Sequence, residues 1–301
     1  MNPGKEQAGE PPEASAGRAD PAAGERGGPA VTAYREVVFA TWPGFRPLAL
    51  DLYVPARPVA LCVYLHGGGW RAGTRAEGPG NVKNWRPGFF EHVAGLGLAI
   101  ASVDYRLSGE VTFPAQADDV GAALDFLAAH RDDYGITCDR TVIWGVSAGG
   151  HLAALAALTR AADRRPRHRP AAAVCWYPVT DLDALAKDIA DAGGRPDRGP
   201  QSREGALLGG SLDDLPDLVT AAGPVHHVSP AAPPFLFLHG DADVAVPAQQ
   251  SHRLAERLLA AGAEATVDLI PGAGHMFPEL DEPTTRAITH RSAQFLLRPV
   301  P

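Results

Sequence analysis

The chain has 301 residues, 45% hydrophobic and 21% charged, with a formal net charge of -8 at pH 7. That length suits one large α/β domain or two small ones, and the composition is ordinary for a globular protein. The acidic balance argues against a nucleic-acid partner or an anionic membrane surface, and no apolar stretch approaches the ~18 residues of a membrane span.

Residues 1–30 are rich in Gly, Pro, Ala and Glu and hold no bulky apolar residue after Met1. They read as a disordered tail, without the basic start and apolar stretch of a signal peptide. Val31 to Thr41 and Arg46 to Val54 face each other across Trp42-Pro43-Gly44, as an antiparallel hairpin at a sheet edge. Val59 to Leu65 is a strand that runs into the glycine-rich loop His66-Gly67-Gly68-Gly69-Trp70. A helical stretch, Phe89 to Ala94, precedes the strand Leu98 to Val103. Pro114 to His130 places Val120, Leu124 and Leu127 on one helical face.

Thr141 to Trp144 is the next strand and His151 to Leu158 the next helix, with Gly145-Val146-Ser147-Ala148-Gly149 between them. Strands follow at Ala172 to Tyr177, Phe235 to His239 and Thr266 to Ile270. Pro247 to Ala261 and Pro283 to Leu297 read as helices that open on proline. Eight strands alternating with helices predict an α/β domain over 31–301, its mostly parallel eight-stranded sheet covered on both faces.

Two segments break this rhythm. Arg160 to Arg169 holds five arginines, a histidine and an aspartate, and reads as a solvated loop because no aromatic interleaves it. Asp183 to Pro224 is Gly-, Asp- and Pro-rich, and its place between two strands makes it a candidate lid insertion. The three cysteines, Cys62, Cys138 and Cys175, lack metal-ligand spacing. Cys62 and Cys175 lie in strand-like runs, which predicts buried reduced thiols and a reducing, cytoplasmic setting.

Strand, Gly-x-Ser-x-Gly, helix is the context of a nucleophile elbow, which makes Ser147 the candidate nucleophile. Such a serine needs a base, a carboxylate to orient that base, and N–H groups aimed at the developing oxyanion. His275, in Pro271-Gly272-Ala273-Gly274-His275 directly after the last strand, is the best placed of eleven histidines. His151 and His239 read as packing or tethering residues. Asp241 and Asp243 both follow the strand Phe235 to His239, and position alone does not choose between them. Ala148 follows the nucleophile and should supply one oxyanion N–H, and the loop His66 to Gly69 should supply more. Neither phosphate-loop pattern is present and no His/Cys cluster has zinc spacing, so no nucleotide, metal or other cofactor is expected.

These motifs together resemble the α/β-hydrolase superfamily, and within it the esterases of the hormone-sensitive-lipase and feruloyl-esterase-like groups. The resemblance runs from about Ala33 to Leu297. It rests on His66-Gly67-Gly68-Gly69-Trp70, Asp104-Tyr105-Arg106-Leu107, Phe113-Pro114-Ala115-Gln116, Gly145 to His151, Ser229-Pro230, His239 to Pro247 and Gly274-His275. The chain order Ser147, Asp243, His275 is that of the superfamily. The resemblance implies Asp243 as the acid and Gly67, Gly68 and Ala148 as oxyanion donors, with Gly69 as a further contributor. It also implies a bracing role for Asp104-Tyr105-Arg106. With residues 1–30 read as a tail instead of a helical cap, the feruloyl-esterase-like group fits better.

The implied reaction is two-step acyl transfer on a small-molecule acyl or aryl ester, without nucleic-acid or membrane partners. Trp70, Phe89 and Met276 are the candidate substrate contacts, with Trp85, Phe90 and Phe277 beside them, and core packing is the competing reading for each. Cleavage of a formamide, as in kynurenine-formamidase-like proteins, and a biosynthetic thioesterase are the other enzymatic readings. A non-catalytic binding protein of the same fold usually lacks part of the triad, whereas all three residues stand here.

Overall fold

The structure, a computed structural model, describes residues 18–21, 30–80, 82 and 84–299. Its centre is one sheet. The parallel strands are β4 (Ala60–Leu65), β5 (Leu98–Val103), β6 (Thr141–Val146), β7 (Pro170–Trp176), β8 (Phe235–Gly240) and β9 (Ala265–Ile270). Two antiparallel strands, β2 (Val31–Ala40) and β3 (Leu48–Pro55), extend it beyond β5. These are the eight strands expected from the sequence. A short ninth, β1 (Arg18–Pro21), pairs with β2 at the edge, giving the order β1-β2-β3-β5-β4-β6-β7-β8-β9.

The pairing of β1 corrects the expected tail at four of its residues. A ladder on a sheet edge is made by backbone groups, so it requires none of the apolar side chains whose absence suggested disorder. The rest of that expected tail, 1–17 and 22–29, lies outside the described residues.

Every residue of β4, β5, β6 and β8 is buried, which is why these strands read as continuous apolar runs. Alternate side chains feed two cores. One gathers Leu61, Val63 and Leu65 with α2 (Ala115–His130), α3 (Ala148–Thr159) and α7 (Gln249–Ala260). The other gathers Cys62, Tyr64, Trp144 and Trp176 with α1 (Phe89–Gly95) and α8 (Glu282–Leu297). Cys62 and Cys175 are buried and unpaired, and burial pushes both thiols up. Among the described residues no helix is long and apolar enough to cross a membrane.

The arginine-rich loop is a local ion-pair network. Arg160 clasps Asp125 at 2.7 Å, Arg167 reaches Asp132 and Asp139, and Arg165 pairs with Asp163. The Asp183 to Pro224 stretch holds most of α4 (Leu182–Asp191), with α5 (Arg203–Leu208) and α6 (Pro216–Ala222). Asp181 caps α4 and Ser202 caps α5, each accepting a backbone N–H in the first turn. Arg253 of α7 pins this insertion through Asp188, at 2.8 and 2.9 Å.

Candidate active site

Parallel strands direct their carboxyl ends to one side of the sheet, and the loops there build the site. β6 ends at Val146 and α3 begins at Ala148, so the whole reversal falls on Ser147. Its backbone takes φ +52° and ψ -119°, a region that residues with a Cβ rarely enter. Two hydrogen bonds hold it there: Ser147 N–H donates to Trp176 O, and Ser147 O accepts from His151 N–H, both at 2.9 Å.

The loop after β9 brings His275 Nε2 to 3.0 Å from Ser147 Oγ. On the other side of the ring, His275 Nδ1 lies 2.7 Å from Asp243 Oδ2. The other oxygen, Oδ1, accepts the N–H groups of Ala245 and Val246, both at 2.9 Å. Burial raises the carboxyl's pKa, but the His239 ring 3.5 Å away, the hydrogen bond from His275 and the Val246 N–H outweigh it. Asp243 is therefore held well below the usual carboxylate range. Asp241 is exposed and spends Oδ1 on the Gly272 N–H, so geometry separates the two aspartates that position left open.

The glycine loop lies alongside. A methyl on Gly67 would sit 3.5 Å from Ser147 Cβ. Gly68 has φ +114°, and a Cβ there would meet Ala72 O at 2.1 Å, so the turn excludes any side chain. Among the described residues neither Gly67 nor Gly68 donates its N–H, and Ala148 opens a helix where no i-4 carbonyl is available. His66 closes the loop from below, with Nδ1 2.7 Å from Gly67 O and its ring stacked on Tyr105 at 4.3 Å. Tyr105 Oη donates to His66 O at 2.9 Å, and Arg106 chelates buried Asp119. These contacts are the bracing expected of Asp104-Tyr105-Arg106.

The sequence profile of the BD-FAE family matches residues 50–258 of this chain. The chain belongs to the BD-FAE family. It is 30% identical over 251 residues to "Esterase LipC" of Mycobacterium tuberculosis, an alignment covering 81% of this chain and 59% of that protein. It thus spans about 60% of that relative's length. A truncated carbohydrate esterase from gut microbiota superposes with a TM-score of 0.72 at 26% identity, over 90% of this chain and all of that one. Propionate-bound esterase Est2 of Thermogutta terrifontis gives 0.67 at 26% identity, over 90% and 94%. The fold is that of an α/β-hydrolase.

Within this BD-FAE chain the expected substrate contacts separate. Trp70 is 1% exposed and donates Nε1–H to His151 Nδ1 at 3.2 Å, so it is a core residue. Phe89 is 4% exposed and packs with Tyr64, Phe90 and Trp144. Both correct the expectation that they face substrate: adjacency in sequence to a catalytic loop says nothing about which side of it a ring enters. Met276 differs. It is 48% exposed, directly follows His275, and lies against Gly80.

Two residues escaped the sequence reading. Tyr177, just beyond β7, sets its buried ring edge-on to His275 at 4.9 Å and limits that imidazole's freedom. Arg75 ties the glycine loop to the sheet edge, bonding Asp51 at 2.9 Å and Asp104 at 2.7 Å. Neither carries a motif.

His151 links three elements, accepting from Trp70 and donating Nε2–H to Ala222 O at 2.7 Å. Burial lowers its pKa from 6.5 to about 4, so it stays neutral when folded while the unfolded chain takes a proton below pH 6.5. Its contribution is present above that pH and is lost as pH falls through the folded pKa, to a total of about 3 kcal/mol. His151→Gln keeps a donor and an acceptor but cannot titrate. Thermal unfolding of the variant should therefore depend less on pH between 6.5 and 4 than that of the wild type. Equal slopes would refute the assignment.

Proposed function

We propose that this protein hydrolyses carboxylic esters of small acyl or aryl groups through an acyl-enzyme on Ser147. The observation that carries the reading is the hydrogen-bonded chain Asp243–His275–Ser147, 2.7 and 3.0 Å per link, beside an N–H-rich loop. His275 Nε2 takes the hydroxyl proton as Ser147 Oγ attacks the ester carbonyl. The oxyanion is received by the N–H groups of Gly67, Gly68 and Ala148, each worth about 3 kcal/mol on the transition state. His275 then protonates the departing alkoxide, and water repeats the sequence to free the acid. The esterase names among the relatives support the same reaction class.

Fluorophosphonate labelling tests the reading directly. Wild-type protein should be labelled at one site and Ser147→Ala should not, with ester turnover lost in parallel. Labelling of Ser147→Ala, or none of the wild type, would mean another nucleophile or none.

A further inference from the structure

The insertion meets both loops that flank Ser147. Gly194 packs on the acid loop, where a methyl group would come within 2.9 Å of Val244 O. Nine residues later, Arg203 lies over the glycine loop: a methyl on Gly69 would be 3.0 Å from its Cδ and 3.6 Å from its Nε. Arg71 fastens the same place, donating Nη2–H to the carbonyls of Gln201 and Ser202. Gly67 and Gly69 are two residues apart, so at most about 7 Å separates their α-carbons. Arg203 thus lies over the same short loop whose Gly67 flanks Ser147.

Arg203 is exposed, and among the described residues its guanidinium forms no ion pair or hydrogen bond. Glu204 interacts electrostatically with Arg203 and Arg71, but among the described residues its carboxylate forms no ion pair with either guanidinium. Arg198 of the insertion behaves differently: it is held between Asp183 and Asp213 at 3.1 and 2.6 Å. A guanidinium left free beside the reacting centre of an acidic protein offers a planar pair of donors to a carboxylate.

We propose that Arg203 forms an anion subsite beside the glycine loop and selects esters carrying a carboxylate a few bonds from the scissile carbonyl. The inference rests on the esterase reading above. The carboxylate belongs either to the acyl group or to the alcohol, and both arms are testable with chromogenic probes.

The experiment compares kcat/KM for neutral 4-nitrophenyl butyrate, 4-nitrophenyl hemiglutarate with its anionic acyl group, and 3-carboxy-4-nitrophenyl acetate with its anionic alcohol. Wild-type protein should favour one anionic probe over the butyrate by about tenfold or more. Arg203→Gln should erase that ratio, chiefly through KM, and Arg203→Lys should restore part of it. Arg195→Gln removes an equal charge from the same exposed segment without touching Gly69, and should preserve the ratio. No anionic preference in the wild type, or equal losses in Arg203→Gln and Arg195→Gln, overturns the subsite while leaving ester hydrolysis standing. Failure of the wild type on all three probes removes the esterase reading and the subsite with it.

Discussion

Asp243→Asn is expected to lower kcat by roughly three to four orders of magnitude while the fold persists. Asp243 Oδ1 accepts two backbone N–H groups, from Ala245 and Val246, and an amide placed here keeps its oxygen on that side. Its NH2 then faces His275 Nδ1, at the position from which Oδ2 now accepts at 2.7 Å. An NH2 in that place donates, which forces the imidazole into the tautomer with hydrogen on Nε2. A ring protonated at Nε2 cannot take the Ser147 proton. The loss is thus one of tautomer and not of position, so thermal stability should change little. Asp241→Asn is the contrast: among the described residues its side chain holds only the Gly272 N–H, and its loss should cost less than tenfold. Turnover of a 4-nitrophenyl ester with unfolding curves for both variants decides it. Asp243→Asn retaining a tenth of wild-type kcat would refute the assigned role.

What could be read from the residues follows the range of the interactions involved. The sheet was legible because strands buried on both faces must be largely apolar, and β4, β5, β6 and β8 are, save Ser102, Thr141 and His239. Ser147 and His275 were legible because the chemistry demands their residue types at the carboxyl ends of strands. The choice between Asp241 and Asp243 needed resemblance at first, and the structure supplies its physical basis: one side chain is exposed and turned to Gly272, the other is buried against His275.

Contacts between distant segments were not legible. Trp70 follows three glycines in sequence but packs on His151, 81 positions away, because the loop turns through a positive φ at Trp70 itself. Tyr177 meets His275 from the loop after β7, and Arg203 meets Gly69 from the start of α5; no local pattern marks either contact, which lies wholly in what the fold sets opposite them. The edge strand β1 is the backbone version of the same limit, since a ladder leaves little trace in side-chain composition.

The second large effect concerns Gly149. A methyl group there would meet Leu65 O at 2.1 Å and His66 O at 2.4 Å, both backbone atoms that cannot rotate away. Alanine favours a helix over glycine by about 1 kcal/mol, and the contact opposes that gain. To relieve it, α3 must move about 1 Å away from the end of β4, which places the cost at the upper end of overpacking, about 3 kcal/mol. The melting temperature should fall by roughly 5 °C. The same movement separates Ser147 from the glycine loop that starts at His66, and a displacement of about 1 Å at a reacting centre costs on the order of a hundredfold. Fluorophosphonate labelling of Gly149→Ala should therefore slow by about that factor even well below its melting point. Gly150→Ala is the matched control: its methyl meets Pro178 Cβ at 3.1 Å and Trp176 O at 3.2 Å, gaps that a few tenths of an ångström would ease. If the two variants melt and label alike, the interlock of β4 with α3 is not what holds Ser147 against its loop.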